Sequence, residues 1–247
     1  MPIAALLFAL DVTLVIHAAR SGRFVPWGYV ILMLPGIGSF AYLGLVCAPE
    51  WLSSPKGDLT VRRVRAAIDP DGVYRQARDQ LDAVDTIANR TALAVACLDT
   101  HREAEALALY QGVISLPLGE EPHFFLGKAR AEFGMLRSDD ALSTLDELQR
   151  LWPTWRSSAA HLLYARALEQ AGRNDEAIDE YRSLAVYFAG VEPRVRLAAL
   201  LARTGQSQEA AVLAGQVLAA LRRSPKHVQR AEREWGALAK ELARACG

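Results

Sequence analysis

The residues best suited to hold a metal or run a reaction are five histidines, His17, His101, His123, His161 and His227, and three cysteines, Cys47, Cys97 and Cys246. Their spacing supports neither task. No two histidines stand four apart with an adjoining glutamate, so no helix offers the paired imidazoles and general base of an HExxH hydrolase. The cysteines are too far apart for a zinc ribbon or a CxxC redox pair, and their odd number gives no disulfide framework. No GxxxxGK[ST] loop is present to cradle phosphates, and no Gly-x-Ser-x-Gly elbow to raise a nucleophile. The acidic residues are scattered and define no acid–base pair. The chain therefore reads as a non-enzyme with no cofactor and no metal.

One carboxylate is conspicuous by its setting. Residues 1–51 carry only four charges, Asp11, Arg20, Arg23 and Glu50. A first apolar stretch, Pro2 to Ala19, contains Asp11; a second runs from Trp27 to Cys47 and is long enough, at about 20 residues, to cross a hydrocarbon core. No basic residue precedes the first stretch, which disfavours a cleaved signal peptide. Trp27, Tyr29, Tyr42 and Trp51 fall near the ends of the second stretch, as interfacial aromatics do. The expectation is a transmembrane helical hairpin over 1–51 that anchors the chain in a membrane. A carboxyl inside such a segment is costly and calls for a partner or a role. Either Asp11 sits shallow, near the N-terminal end of a short helix, and reaches water or a hydroxyl, or it contacts Ser39, Tyr42 or another membrane subunit.

The stretch RSGRFVPWGYVILMLPGIGSFAYLGL resembles the N-terminal membrane hairpin of cardiolipin synthases and related phospholipase D-type proteins. The matching features are Asp11, the arginine-bearing loop, Trp27, and the trio Pro35, Gly38 and Tyr42. The resemblance implies membrane anchoring only, because the HxKxxxxD signature of the phospholipase D catalytic domain is absent.

Beyond residue 70 the pattern changes. Ala106, Ala141, Ala177 and Ala210 sit in similar phrases, spaced 35, 36 and 33 residues apart. Twelve positions before each alanine is another, at Ala94, Ala129, Ala165 and Ala198. Larger residues follow four and seven positions later, as in Tyr110 and Val113 or Tyr181 and Leu184. A period near 34 with small residues at fixed offsets is the mark of stacked helix pairs. This pattern resembles the tetratricopeptide repeat over about 87–224, in four units. Gly172 and Gly205 take the turn between the two helices of a unit, where a positive φ is favoured. His101 and Leu136 occupy that place in the first two units, so those turns are expected to be less regular. Solenoid ends need caps. One is expected from Asp69-Pro70-Asp71 through about Asn89, the other from Ser224-Pro225 through about Ala245.

The resemblance implies that the first helix of each unit lines a concave groove. Arg130, Phe133, Arg166, Glu169 and Arg203 then become candidate partner-binding residues. Arg130 and Arg166 hold the same place in successive units and can together meet an acidic peptide or a chain-terminal carboxylate. Pairing with nearby acids such as Glu169 is the alternative. The Lys/Asn pattern of chaperone-binding carboxylate clamps is not matched, since Gly127 and Leu163 stand where polar groups are needed.

The expected architecture is all-α: hairpin 1–51, linker 52–70, and a solenoid of about four tetratricopeptide-like pairs with capping helices over 71–247. With 28 basic and 28 acidic residues the net charge is zero, which argues against nucleic acid as a partner. The linker cluster Arg62, Arg63 and Arg65 reads as a solvated face or a contact to anionic lipid. The expected function is a membrane-anchored protein–protein interaction scaffold, with an accessory structural subunit of a membrane complex as the alternative. Two spanning helices would put both termini on one side. Arg20 and Arg23 in the short loop favour a cytoplasmic loop and a domain outside the cytoplasm; Lys56, Arg62, Arg63 and Arg65 favour the reverse. The nearer pair tips the expectation towards a periplasmic domain.

Overall fold

A computed structural model of the chain describes residues 2–20, 24–34, 37–42, 69, 71–117 and 119–247. The expected linker cluster, Cys47 and Trp51 lie outside the described residues. The chain divides into two compact units, Met1–Gly72 and Val73–Gly247. Among the described residues all regular structure is helical.

In the second unit, α4 (Gly72–Ala83) precedes four antiparallel pairs: α5 (Ile87–Asp99) with α6 (Glu103–Ile114), α7 (Pro122–Gly134) with α8 (Ser138–Leu151), α9 (Ser158–Gln170) with α10 (Asn174–Tyr187), and α11 (Glu192–Arg203) with α12 (Ser207–Arg223). The eight alanines of the repeat are all fully buried. A methyl group there lets two helices approach closely, and the larger residues at the following offsets fill the space beside them. Tyr110, Val113, Leu145, Leu148, Tyr181, Leu184 and Val217 are all buried accordingly.

The four turns within the pairs share one geometry. His101, Leu136, Gly172 and Gly205 have φ of 56°, 61°, 77° and 87°. In each the next amide reaches back five residues: Arg102 to Cys97, Arg137 to Glu132, Arg173 to Leu168 and Gln206 to Leu201, at 2.8–3.0 Å. This pairing satisfies carbonyls at the helix end. The expectation of less regular turns at His101 and Leu136 is thus corrected. Stacking fixes the backbone, and the non-glycine residues accept the left-handed strain.

The first cap is shorter than expected, and the second reaches Ala245 as expected but in two pieces. α4 stops at Ala83 rather than near Asn89. Thr86 accepts the amide of Asn89 at 3.1 Å and starts α5, while the Asn89 side chain donates to Gln80 and Val84 carbonyls at the end of α4. At the other end the helix breaks at Glu232 into α13 (Lys226–Ala231) and α14 (Arg233–Ala245). α14 closes the solenoid by packing Trp235, Leu238, Ala239 and Leu242 against Val191, Val195, Val217 and Leu221.

In the first unit, α1 (Pro2–Arg20) is followed by α2 (Phe24–Met33) and α3 (Ile37–Tyr42). The second apolar stretch is therefore not one helix, which corrects the expected transmembrane hairpin. Among the described residues no helix is long and apolar enough to cross a membrane. A β-carbon at Gly38 would fall 2.5 Å from the Val30 carbonyl oxygen and 2.8 Å from Ile31 Cα. Only a bare glycine allows α3 to lie this close to α2.

Candidate functional site

α5, α7 and α9 bring Val95, Leu98, Arg130, Phe133, Leu162 and Arg166 to one cavity of about 640 Å³, which Tyr110 and Phe188 also line. Three of the five expected partner-binding residues, Arg130, Phe133 and Arg166, meet here. Their environments differ from those of Glu169 and Arg203, and that difference sets the charge of the groove.

Glu169 is saturated. Its carboxylate accepts the Tyr181 hydroxyl at 2.8 Å and the Arg203 guanidinium at 3.1 Å, and Arg196 Nη1 stands 3.6 Å away. Arg196 also donates to Glu192 at 2.7 Å and stacks over Trp235 with its centre 5.0 Å from the ring centroid. Burial, reinforced by the Glu169 carboxylate, pushes the Tyr181 hydroxyl far above the usual tyrosine range, so it stays a donor. Acids and bases here neutralise each other.

Arg130 and Arg166 are not neutralised in this way. Arg130 is exposed and forms no salt bridge among the described residues. Arg166 lies over Phe133, 5.0 Å from the ring centroid, and its Nε is buried without a hydrogen-bond partner. Its nearest acid, Glu192, is 4.0 Å away and already held by Arg196. Of the alternative that both arginines pair with nearby acids such as Glu169, only the Arg166–Glu192 contact at 4.0 Å is seen among the described residues; Glu169 serves Arg203 and Arg196. The positions that would complete a carboxylate clamp are packing positions. Gly127 abuts the Tyr110 ring and Leu163 is buried.

A second cavity, about 730 Å³, lies between α8, α9 and α10 and is lined by Asp146, Trp155, Tyr164 and Glu180 among others. His161 bridges it: Nδ1 bonds the Tyr187 hydroxyl and Nε2 the Glu180 carboxylate, each at 2.5 Å. No local pattern in the sequence signals this trio, because its members are 19 and 26 positions apart. Among the described residues no group of three His, Cys, Asp or Glu is placed to hold a metal ion.

In the first unit the Ser39 hydroxyl donates to Asp11 at 2.5 Å, so α3 supplies one of the contacts expected for that carboxyl. His17 Nδ1 and the Tyr42 hydroxyl share a hydrogen bond of 3.0 Å. Tyr42 also meets the Trp27 ring at a centroid distance of 5.6 Å. Ser39 and Tyr42 are fully buried, while Val25, Leu32 and Met33 are 72%, 61% and 83% exposed.

No family model matches the chain, and no curated protein matches it. Among solved structures, it is similar to a thermophilic tetratricopeptide repeat protein of Thermus thermophilus. The TM-score is 0.56 at 17% identity, over 73% of this chain and 93% of that one. At that identity the likeness shows the fold alone: a tetratricopeptide-like α-solenoid.

Proposed function

We propose that the chain is a membrane-attached protein–protein interaction scaffold whose groove takes an acidic, partly apolar segment of a partner protein. The observation that carries this reading is the pair Arg130 and Arg166. Two cations without a full counter-charge line an apolar concavity, and one of them has an orphaned buried N–H. A buried donor without an acceptor is costly, and an incoming carboxylate would relieve it. Solenoids of this kind present extended concave surfaces to partners. Attachment to the inner-membrane bilayer rests on the low charge of residues 1–51 and the exposed apolar side chains of α1 and α2. The reading assigns no catalytic residue and no cofactor.

The test uses arrayed short peptides of defined sequence. Peptides pairing Asp or Glu with Leu or Phe should bind, and a double change, Arg130→Glu with Arg166→Glu, should abolish that binding while the helical spectrum is retained. Equal binding by the variant would reject the groove assignment.

The second reading is an accessory subunit that meets a membrane complex mainly through its first unit. The exposed Val25, Leu32 and Met33 favour it, because a protein surface can cover them as well as lipid can. A fragment over 66–247 should keep peptide binding under the first reading and lose its partner under the second.

A further inference from the structure

We propose that the cavity between α8, α9 and α10 is a binding site for an organic cation, an ammonium or guanidinium group carried on a compact apolar body. The site stands apart from the groove and from membrane attachment. Of the residues lining it, only Ser158 also lines the groove. Its volume of about 730 Å³ falls within the range of about 300–1,000 Å³ that small-molecule sites occupy.

Aromatic side chains supply the walls. The loop after α8 turns at Trp152, whose carbonyl accepts the Trp155 amide at 3.0 Å, and so delivers Trp155 to the cavity. Ser157 then caps α9 by accepting the Ala160 amide at 3.2 Å. His161 and Tyr164 follow, three positions apart and on one face of α9. Glu180 and Tyr187 are seven positions apart on α10 and share a face as well. His161 ties the two together, bonding each at 2.5 Å. Tyr187 is 55% exposed, yet its hydroxyl is held by the imidazole, and the two ring centroids lie 5.9 Å apart. A surface ring already pinned in this way loses little freedom when a ligand arrives.

The charges set the sign of the ligand. Asp146 and Glu180 bring two carboxylates to the cavity, and neither pairs with a lysine or arginine among the described residues. Glu180 is held by His161, and Asp146 accepts the Tyr164 hydroxyl. Burial, reinforced by Asp146, pushes that hydroxyl above the usual tyrosine range, so it remains a donor. A carboxylate has about four acceptor sites, and one partner leaves room for others. Arg156 is the guanidinium in the lining, and it is spent on backbone, donating to the Pro153 carbonyl at 2.6 Å. Two acids against one base favour a cation, and aromatic faces attract cations that come within about 6 Å of the ring centroid. An anion would meet both carboxylates, and a neutral molecule would leave them unused. A free amine and an arginine or lysine side chain share the required chemistry, so the probes separate them.

The test titrates the full chain with phenethylamine, phenethyl alcohol and hydrocinnamate by isothermal titration calorimetry at neutral pH. These probes share a ring and a short carbon arm and differ in charge. The amine should bind about tenfold more tightly than the alcohol, and the carboxylate more weakly than either. This order is read on the parent chain and needs no variant. Asp146→Asn with Glu180→Gln keeps the shape of both side chains and should reduce the amine to the affinity of the alcohol. Trp155→Leu should weaken the amine and the alcohol together. Arg166→Ala, in the groove, should leave all three unchanged. A capped tetrapeptide carrying one arginine identifies the cation as a partner's side chain if it outcompetes the amine, and as a small molecule if it does not. The proposal is overturned if the alcohol or the carboxylate binds as tightly as the amine, or if the amine does not bind at millimolar concentration. Amine binding that survives the double variant, or is lost with Arg166→Ala, would overturn it too.

Discussion

Leu136 and Gly172 occupy the same left-handed position in successive turns, with φ of 61° and 77°, and the residue after each closes the same five-residue hydrogen bond. Glycine adopts this backbone freely, whereas leucine does so against its own Cβ. Leu136 is 75% exposed and loses little packing on truncation. Leu136→Gly should therefore stabilise the chain by about 0.5–1 kcal/mol, net of the entropy glycine adds to the unfolded state. Denaturant unfolding would measure it. A destabilised variant would mean that the leucine side chain outweighs its backbone strain.

Two helical glycines make an opposed pair. A β-carbon at Gly127 would lie 2.2 Å from Tyr110 Cζ, while one at Gly215 meets nothing within 4 Å. Gly127→Ala should cost about 1–3 kcal/mol by overpacking. Gly215→Ala should add about 0.5–1 kcal/mol from backbone entropy. Shifts in the same direction for both would discredit the packing of α6 on α7.

The sequence made the solenoid legible because its spacing constraint is local: each helix crossing needs a small residue at a fixed offset, and all eight alanines are buried as that demands. The same logic placed Arg130, Phe133 and Arg166 on one cavity. What stayed hidden depends on contacts between distant positions. Composition reports that Trp27–Cys47 is apolar, but only the fit of Gly38 against Val30 reveals that α3 turns back on α2. Glu169 had several arginines within reach in sequence, and packing assigned it to Arg203 and Arg196. His161, Glu180 and Tyr187 come together only through the stacking of α9 on α10.

Glu132 is nearly fully buried, accepts the Thr144 hydroxyl at 2.7 Å and stands 3.6 Å from Lys128 Nζ. Burial raises its pKa despite both neighbours. A carboxyl whose folded pKa lies above its unfolded value binds more protons when folded, so its contribution falls as pH rises. The loss begins near the unfolded value of about 4.3 and is complete above the raised folded value. Relative to the parent, Glu132→Gln should gain stability over that window and hold the gain at neutral pH. Thermal unfolding at a series of pH values would check it, and a relative loss on going from acid to neutral would contradict the burial argument.

Cys97 is completely buried, and burial followed by the nearby Glu105 carboxylate pushes its thiol up to about 11. Only the thiolate alkylates, so at pH near 8 Cys97 should stay unmodified in the folded chain while the partly exposed Cys246 reacts. Mass spectrometry after iodoacetamide treatment would show this. Denaturant should make the two equally reactive, and equal reactivity without denaturant would mean that α5 opens readily.

Arg166 and Arg203 should respond unequally to the loss of their charge. Arg166 has its Nε unpartnered, whereas Arg203 is held by Glu169. Arg166→Ala should weaken binding of an acidic peptide about tenfold, equivalent to roughly 1.4 kcal/mol. Arg203→Ala should change it little, because that charge is already matched. Glu169→Gln releases both Arg203 and Arg196 from their shared carboxylate and should strengthen acidic-peptide binding, at a cost in stability from the weakened acceptor for the buried Tyr181 hydroxyl. Fluorescence titrations at two salt concentrations would separate these outcomes, since higher salt should compress the gain from Glu169→Gln. Equal losses for Arg166→Ala and Arg203→Ala would show that the pairing of Glu169 does not shape the groove.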